Sequence, residues 1–176
     1  NISPQKENMR ESAISPYSLG KVASTHFLQM LHRTENFPSS IVRIFLTYGP
    51  GQNNKRFLPQ IIKGCISNKK FKTSKGDQLR DFCYIDDIIE VIFKILFSKK
   101  TNGQVLNIGS GNPVKIKSLI KKIVNLIGSG QPIFGSLPYR KGESMSLYAN
   151  ITKVYRILKW KPKISFQIGL KKTINS

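Results

Sequence analysis

The sequence predicts an α/β protein, because stretches with helical periodicity alternate with short β-branched runs along the chain. In residues 16–33 apolar side chains recur every three or four positions, which is typical of an amphipathic helix. Residues 41–46 are short and rich in β-branched side chains, which favours a buried strand of a parallel sheet. A length of 176 residues is sufficient for one domain with a hydrophobic core.

The other elements follow from local signals. Ser15 and Pro16 provide a cap and a proline at the first helical position, so the first helix should begin there. Asp86 and Asp87 favour the N-cap of a later helix, and Gly128 should end another. The predicted helices are 16–33, 58–66, 88–97, 116–127, 151–159 and 165–174, and the predicted strands are 41–46, 80–85, 105–108 and 133–134.

The chain is strongly basic, with 29 Lys and Arg against 9 Asp and Glu and a net charge of +20. Such a balance can serve nucleic acid or an anionic surface. The basic residues are spread from Lys6 to Lys172 without a zinc spacing, an RNA-binding signature or alternation with aromatic residues. We therefore expect them on solvent-facing surfaces, with no specific nucleic-acid partner.

Three other features of the sequence limit the class of protein that it can encode. No run of about 18 apolar residues is present, so neither a membrane span nor a membrane partner is expected. Cys65 and Cys83 lie in apolar stretches and should be buried free thiols of a cytoplasmic protein. His26 and His32 have no accompanying ligand residues, so no metal site is predicted.

Tyr17 and Lys21 are four residues apart in the first predicted helix, so they share one face of it. A free phenol is a weak acid at neutral pH, and a neighbouring ammonium favours its phenolate form. Such a pair can move a proton to or from a substrate hydroxyl. The spacing alone also occurs by chance, and the alternative is an ordinary exposed helix face.

Several segments give this pair a context. Residues 15–21 read Ser-Pro-Tyr-Ser-Leu-Gly-Lys, and residues 43–52 run from an apolar strand into a Tyr-Gly-Pro-Gly turn. These two segments and three later elements, in this order, are similar to motifs of the extended short-chain dehydrogenase/reductases of the NAD-dependent epimerase/dehydratase family. The later elements are 78–87 with Gln-Leu-Arg-Asp-Phe, 105–111 with Leu-Asn-Ile-Gly-Ser-Gly, and the pair 140–143 and 158–162 with Arg-Lys-Gly-Glu and Leu-Lys-Trp-Lys-Pro.

The resemblance implies the C-terminal part of a Rossmann-type parallel sheet plus a small α/β substrate-binding lobe. Residues 1–56 would be the remnant of the Rossmann domain, with the Tyr-x-x-x-Lys helix and the following strand. Residues 57–176 would be mainly the substrate-binding lobe. Strand 80–85 and helix 88–97 are candidates to return to the Rossmann sheet.

The resemblance also implies an activity, the NAD(P)-dependent epimerisation, dehydration or 4-keto reduction of a nucleotide-diphosphate sugar, used in cell-surface polysaccharide synthesis. Tyr17 would be the acid-base, and Lys21 would hold the ribose of NAD or NADP. Phe45 and Leu46 would line the nicotinamide. The full-length form would be a homodimer.

The same resemblance assigns the substrate contacts. Arg80 and Arg140 would bind the nucleotide diphosphate, because a guanidinium suits phosphate oxygens; the alternative for each is a surface ion pair. Arg56 and Phe57 would touch the substrate through their backbone. Residues 71–74 would form one wall of the base pocket.

Some polar residues have a structural interpretation. Asp81 is expected to make a structural hydrogen bond and Asp87 to cap a helix, rather than to form a catalytic carboxylate pair. Residues 107–111 lack the Lys-Ser/Thr of a Walker motif, so we interpret them as a tight structural turn rather than a phosphate loop.

The chain departs from the family pattern in three ways. It has no Gly-x-x-Gly-x-x-Gly turn, the Ser/Thr that polarises the substrate hydroxyl would lie upstream of residue 1, and Leu46 stands in place of Asn. We therefore expect a truncated chain that is marginally stable, prone to associate, unable to bind NAD(P) tightly and inactive alone. Ile41, Val42, Ile44, Leu46 and the apolar side of helix 16–33 would face water. The alternatives are a non-catalytic nucleotide-sugar or anion-binding module and a basic nucleic-acid-binding protein.

Overall fold

The computed structural model describes residues 3–176, in which helices and short strands alternate. The helices are α1 (Pro16–Glu35), α2 (Phe57–Ile66), α3 (Ile85–Leu96), α4 (Ile116–Ile127), α5 (Thr152–Leu158) and α6 (Phe166–Ile174). The strands are β1 (Ile41–Ile44), β2 (Leu46–Tyr48), β3 (Lys70–Lys72), β4 (Leu79–Tyr84), β5 (Val105–Ile108), β6 (Pro113–Lys115), β7 (Gln131–Ile133) and β8 (Ser146–Leu147). Among these residues no helix is both long and apolar enough to cross a membrane.

The strands form three small sheets. β1 pairs in parallel with β5, and β3 pairs in parallel with β7. β4 is the centre of the largest sheet, with β2 and β8 parallel to it and β6 antiparallel. Helices pack against these sheets, as the α/β prediction requires.

The prediction of one strand over 41–46 is wrong in detail, because the chain changes partner in the middle of this run. β1 ends at Ile44, and the N–H of Phe45 still donates to the carbonyl of Ile108 on β5 at 2.9 Å. From Leu46 the chain pairs with β4 instead, opposite Phe82. Residue 45 therefore marks the passage between two sheets.

Two hydrophobic clusters form the core. The larger one joins the inner faces of α2, α4 and α6 to the aromatic residues of β2 and β4. The smaller one joins α3 and α5 to β5, with Trp160 among its buried members. α4 ends at Ile127 with Gly128 in the left-handed conformation (φ 79°), as predicted.

The predicted cap of α3 by Asp87 is wrong. The helix begins at Ile85, its N-cap residue is Tyr84, and no side chain caps it. The buried carboxylate of Asp87 instead accepts hydrogen bonds from the N–H groups of Lys163 and Ile164 at 2.9 and 3.0 Å. Asp87 therefore ties α3 to the segment that precedes α6.

Asp81 has the structural role that the sequence predicted. Its side chain is fully buried and receives the N–H and the hydroxyl of Ser110 at 2.7 and 2.6 Å. It also receives the N–H groups of Gly111 and Ala149, each at 3.0 Å. A Cβ on Gly109 would lie 2.7 Å from this carboxylate, so only glycine fits there without a shift. Asp81 thus fastens two loops to β4.

The helix α1 carries no buried residue over its 20 positions. Large apolar side chains on it, including Leu19 and Phe27, are more than half exposed. Ile44 and Leu46 of the adjacent strands are 44% and 45% exposed. The expectation that these surfaces face water is confirmed for Ile44, Leu46 and the exposed apolar residues of α1. It is wrong for Ile41 and Val42, which are half-buried, because β1 pairs with β5 and Val42 packs against the smaller hydrophobic cluster.

Both cysteines are buried free thiols, as predicted. Burial raises the pKa of the Cys65 thiol. Burial, followed by the nearby carboxylates of Asp87 and Asp81, raises the pKa of Cys83 to about 12. Because the thiolate is the reactive form, both side chains are held in an unreactive state.

Replacing Asp81 with Asn should lower the free energy of unfolding by about 2–4 kcal/mol, because the Asn amide would turn N–H groups toward backbone donors. Chemical denaturation followed by circular dichroism measures the change. Asp86→Asn, at an exposed carboxylate in the first turn of α3, is the control and should change stability by less than about 1 kcal/mol. Equal effects of the two substitutions would contradict the role given to Asp81.

Cys65 and Cys83 should resist alkylation by iodoacetamide in the native chain at pH 8, since both are buried and their raised pKa values disfavour the thiolate. Mass spectrometry should find both alkylated once the chain is unfolded in guanidinium chloride. Rapid modification of either thiol without denaturant would show that the core around it opens readily.

Candidate active site

The start of α1 is set by a capping box. The N–H of Ser18 donates to the hydroxyl of Ser15 at 3.2 Å, and the N–H of Ser15 donates to the hydroxyl of Ser18 at 2.9 Å. Pro16 occupies the first helical position, where its missing N–H costs nothing. This local arrangement places Tyr17 in the first turn of the helix.

Tyr17 and Lys21 lie together on α1. The Nζ atom of Lys21 is 5.5 Å from the centre of the Tyr17 ring, over its face. The Tyr17 side chain is 75% exposed, so its phenol is accessible to a ligand. The structure thus brings this predicted pair into contact on an open surface.

Phe45 and Leu46 lie where β1 passes into β2. Phe45 is half-buried and is bonded through its N–H to β5, whereas the side chain of Leu46 is open to solvent. The following Tyr48 is buried, and its hydroxyl donates to the carbonyl of Phe166 at 3.3 Å. The next residue, Gly49, has no room for a Cβ, which would lie 2.4 Å from Ile85. The Tyr-Gly part of the motif is therefore explained by packing.

Arg80 and Glu143 form an ion pair between β4 and the loop that precedes β8. The side chains are only 12% and 21% exposed, so the pair is partly shielded from water. One guanidinium nitrogen of Arg80 also donates to the carbonyl of Leu79 at 2.8 Å. A guanidinium has five N–H donors, so donors remain for a further anion.

Arg140 lies on the same turn as Glu143, the partner of Arg80. The N–H of Glu143 donates to the carbonyl of Arg140 at 2.9 Å, and Gly142 between them has a positive φ of 75°. Arg140 itself is exposed. The turn therefore holds Arg140 and the carboxylate partner of Arg80 on one short loop.

Arg56 and Phe57 begin α2. Arg56 is the exposed N-cap residue, with its N–H bonded to the carbonyl of Asn53 at 2.9 Å, and Phe57 is 39% exposed. No side chain caps this helix, so backbone N–H groups in its first turn are open to a partner. Thr73, in the predicted base-pocket wall of 71–74, is buried and bonds to the segment around Ser136.

The structure collects the predicted residues into two groups. Tyr17 and Lys21 form one, and Arg80 with the 140–143 turn forms the other. Within residues 3–176 no hydrogen bond, ion pair or ring contact described for these side chains joins the two groups. The turn at 109–111 is bonded to Asp81, which fits the structural role predicted for it.

The sequence reasoning missed three carboxylates near these groups. Glu143 pairs with Arg80, Glu11 pairs with Arg43 on β1, and Glu7 accepts the N–H of Asn107 at 3.0 Å. Glu143 was visible in the Arg-x-Gly-Glu motif, but no role was assigned to it. Glu7 and Glu11 carry no motif and are placed only by the folded chain.

The structure combines helices on short parallel strands with an exposed Tyr and Lys on α1. It also places one arginine on β4 and another on the 140–143 turn. The family model described as GDP-mannose 4,6 dehydratase matches residues 1–173. The chain belongs to this family, and so to the extended short-chain dehydrogenase/reductases of the epimerase/dehydratase type. The predicted family and the Rossmann-type fold class are confirmed.

Two curated proteins of known name are similar to this chain over most of its length. The chain is 31% identical to UDP-glucuronate 4-epimerase of Thermodesulfobacterium geofontis (strain OPF15) over 175 residues, 98% of this chain and 53% of the relative. It is 29% identical to dTDP-glucose 4,6-dehydratase 1 of Escherichia coli (strain K12) over 168 residues, 91% and 46% of the two chains. Each of these two relatives is a nucleotide-sugar enzyme by name.

A solved structure shows the same likeness. UDP-glucuronic acid 4-epimerase from Bacillus cereus, in complex with UDP-glucuronic acid and NAD, matches with a TM-score of 0.88 at 30% identity. The match covers 99% of this chain and 56% of that one. The chain therefore spans about half the length of the curated relatives that it matches.

Proposed function

We propose that this chain forms the acid-base and substrate-binding part of an NAD(P)-dependent nucleotide-sugar epimerase, dehydratase or 4-keto-sugar reductase. The observation that carries the proposal is the contact of Lys21 with the exposed Tyr17 on α1. Family membership over residues 1–173 gives this pair its chemical context. Without that context the pair would be an ordinary helix face.

In this proposal Tyr17 moves a proton at a hydroxyl of the sugar, and the Lys21 ammonium lies over the face of its ring. A bound nicotinamide dinucleotide supplies the hydride chemistry. The chain offers a suitable donor set for part of that cofactor. Lys21 is exposed and suits ribose hydroxyls, while Phe45 and Leu46 offer an apolar surface to the nicotinamide.

The nucleotide diphosphate is assigned to the second group of residues. Arg80 is held in place by Glu143 and the carbonyl of Leu79, so its remaining donors are oriented before an anion arrives. Arg140 adds an exposed positive charge on the adjoining turn. Arg56 and Phe57 would contribute backbone groups at the start of α2.

The proposal also divides the chain in two, and the surfaces that remain open support this division. We assign residues 1–56 to a Rossmann-type nucleotide-binding domain and residues 57–176 mainly to the substrate-binding lobe. The exposed side of α1 and the strand residues Ile44 and Leu46 would then adjoin a nucleotide-binding half that these residues do not contain. The complete enzyme would be a homodimer, and the 176 residues alone would be inactive.

A non-catalytic nucleotide-sugar-binding module is the second candidate. It is favoured by Arg80, which Glu143 holds and which is mostly shielded from water, whereas the Tyr17 surface is open. The two candidates differ in turnover but not in nucleotide-sugar binding.

Tyr17→Phe should abolish nearly all turnover in the form of the protein that converts a nucleotide sugar, because only the phenolic oxygen can transfer the proton. The affinity for NAD should stay close to that of the parent, which fluorescence titration measures. Tyr155→Phe, at an exposed tyrosine on α5, is the matched control and should keep its turnover. A Tyr17→Phe protein with near-normal kcat would disprove the assignment.

Arg140→Ala should weaken binding of UDP-glucuronic acid about ten- to a hundredfold, because a charge-assisted bond to phosphate is lost. Arg80→Ala should weaken binding similarly, but it also leaves the Glu143 carboxylate unpaired. The double variant with Arg80→Ala and Glu143→Ala separates the loss of the phosphate contact from the effect of the unpaired carboxylate. Calorimetric titration measures each dissociation constant, with NAD titrated in parallel. Equal losses for NAD and the nucleotide sugar would place both arginines in the wrong subsite.

A further inference from the structure

The exposed sides of α2, α4 and α6 form a surface that holds lysines and no carboxylate. The three helices share one hydrophobic cluster, and α4 contacts both α2 and α6. We call their outer side the basic layer. It is defined by Lys63, Lys117, Lys121, Lys122, Lys171 and Lys172, and the three helices contain no Asp or Glu.

Few side-chain carboxylates accompany the charge of this layer in the sequence. Residues 91–176 contain 16 Lys and Arg but a single carboxylate, Glu143, which is taken by Arg80. Lysines elsewhere do find partners: Lys94 and Lys163 both pair with Glu90. None of the six lysines of the basic layer takes part in an ion pair within the described part of the chain. The lysines are spread along the sequence, but the fold collects them on one side. Asp77 is a carboxylate near this side, and its pKa is lowered by hydrogen bonds from Lys115 and Tyr139 and to a smaller extent by the charge of Lys117.

Two lysines of the layer, Lys122 and Lys171, lie on the sides of α4 and α6 that face each other. Nζ of Lys122 on α4 donates to the side-chain oxygen of Gln167 on α6 at 3.4 Å. Lys171 follows Gln167 by four residues, so it lies on the same side of α6, toward α4. Isoleucines are interspersed among the charges: Ile66 is 61% exposed and Ile168 is 53% exposed.

We propose that the basic layer is a docking surface for an anionic lipid bilayer. All six cations are lysines, whose compact charge suits a diffuse anionic surface, whereas arginine forks suit individual phosphates. The interspersed side chains Ile66 and Ile168 can enter a headgroup region but offer no aromatic face on which nucleic-acid bases stack. This proposal replaces the sequence-based expectation of no membrane partner and does not depend on the proposed function.

The test is co-sedimentation of the pre-cleared chain with vesicles of phosphatidylcholine containing about one third phosphatidylglycerol, at about 0.1 M salt. The chain should bind these vesicles and not vesicles of pure phosphatidylcholine. Lys63→Gln, Lys121→Gln and Lys171→Gln together should lower the partition coefficient at least tenfold. These exposed side chains make no described side-chain bond, so circular dichroism should show an unchanged fold.

The control carries Lys99→Gln, Lys100→Gln and Lys161→Gln, which remove the same charge from exposed positions outside the basic layer. It should bind vesicles within about threefold of the parent, since lipid attraction falls off within a Debye length. If the two variants lost vesicle binding equally, net charge alone would explain the binding, and the proposal would be overturned. It is also overturned if the vesicles are not bound, or if duplex DNA is bound more tightly than the vesicles and loses its binding with the layer variant.

Discussion

The buried carboxylate of Asp81 holds the strand β4 to the loops on either side of it. It accepts four hydrogen bonds, from both donors of Ser110 and from the N–H groups of Gly111 and Ala149. Those donors come from chain segments about 30 and 68 residues away, so the contact can form only when the whole lobe has assembled. Ala149 itself forms an isolated parallel bridge with Gln5, whose N–H donates to the carbonyl of Tyr148 and whose carbonyl accepts the N–H of Asn150. Through this bridge the first described segment is joined to the same centre.

Arg80 and Asp81 are neighbours on β4, and successive side chains of a strand point to opposite faces. Asp81 therefore serves the interior, where it anchors loops. Arg80 serves the other side, where Glu143 holds it in a partly shielded position. The rigidity that Asp81 gives to the strand also fixes the place of the proposed phosphate ligand. In this way a structural carboxylate and the guanidinium of the proposed phosphate site depend on one short piece of backbone.

The features that the sequence predicted well depend on residues that are close to one another in the chain. The cap of α1, the Tyr17 and Lys21 pair and the end of α4 at Gly128 each depend on residues within one turn of helix. The break of the strand at residue 45 could not be predicted, because it depends on whether β5 or β4 is the neighbour. Asp87 was misassigned for the same reason: its partners are 76 and 77 residues away. The Arg80 and Glu143 pair spans 63 residues and shows no periodicity that could reveal it.

The absence of any buried residue from α1 means that the stability of this chain and its proposed chemistry reside in different elements. Substitutions at exposed apolar residues of α1, such as Leu19 and Phe27, would change the melting temperature of the 176 residues little, yet in the proposed enzyme they would disturb the orientation of Tyr17. Selection of variants of this chain for thermal stability would therefore not identify the residues that orient the Tyr17 phenol. In the proposed enzyme a nucleotide-binding half would cover this helix, so its tolerance to mutation would have to be measured in the complete enzyme rather than in the 176 residues.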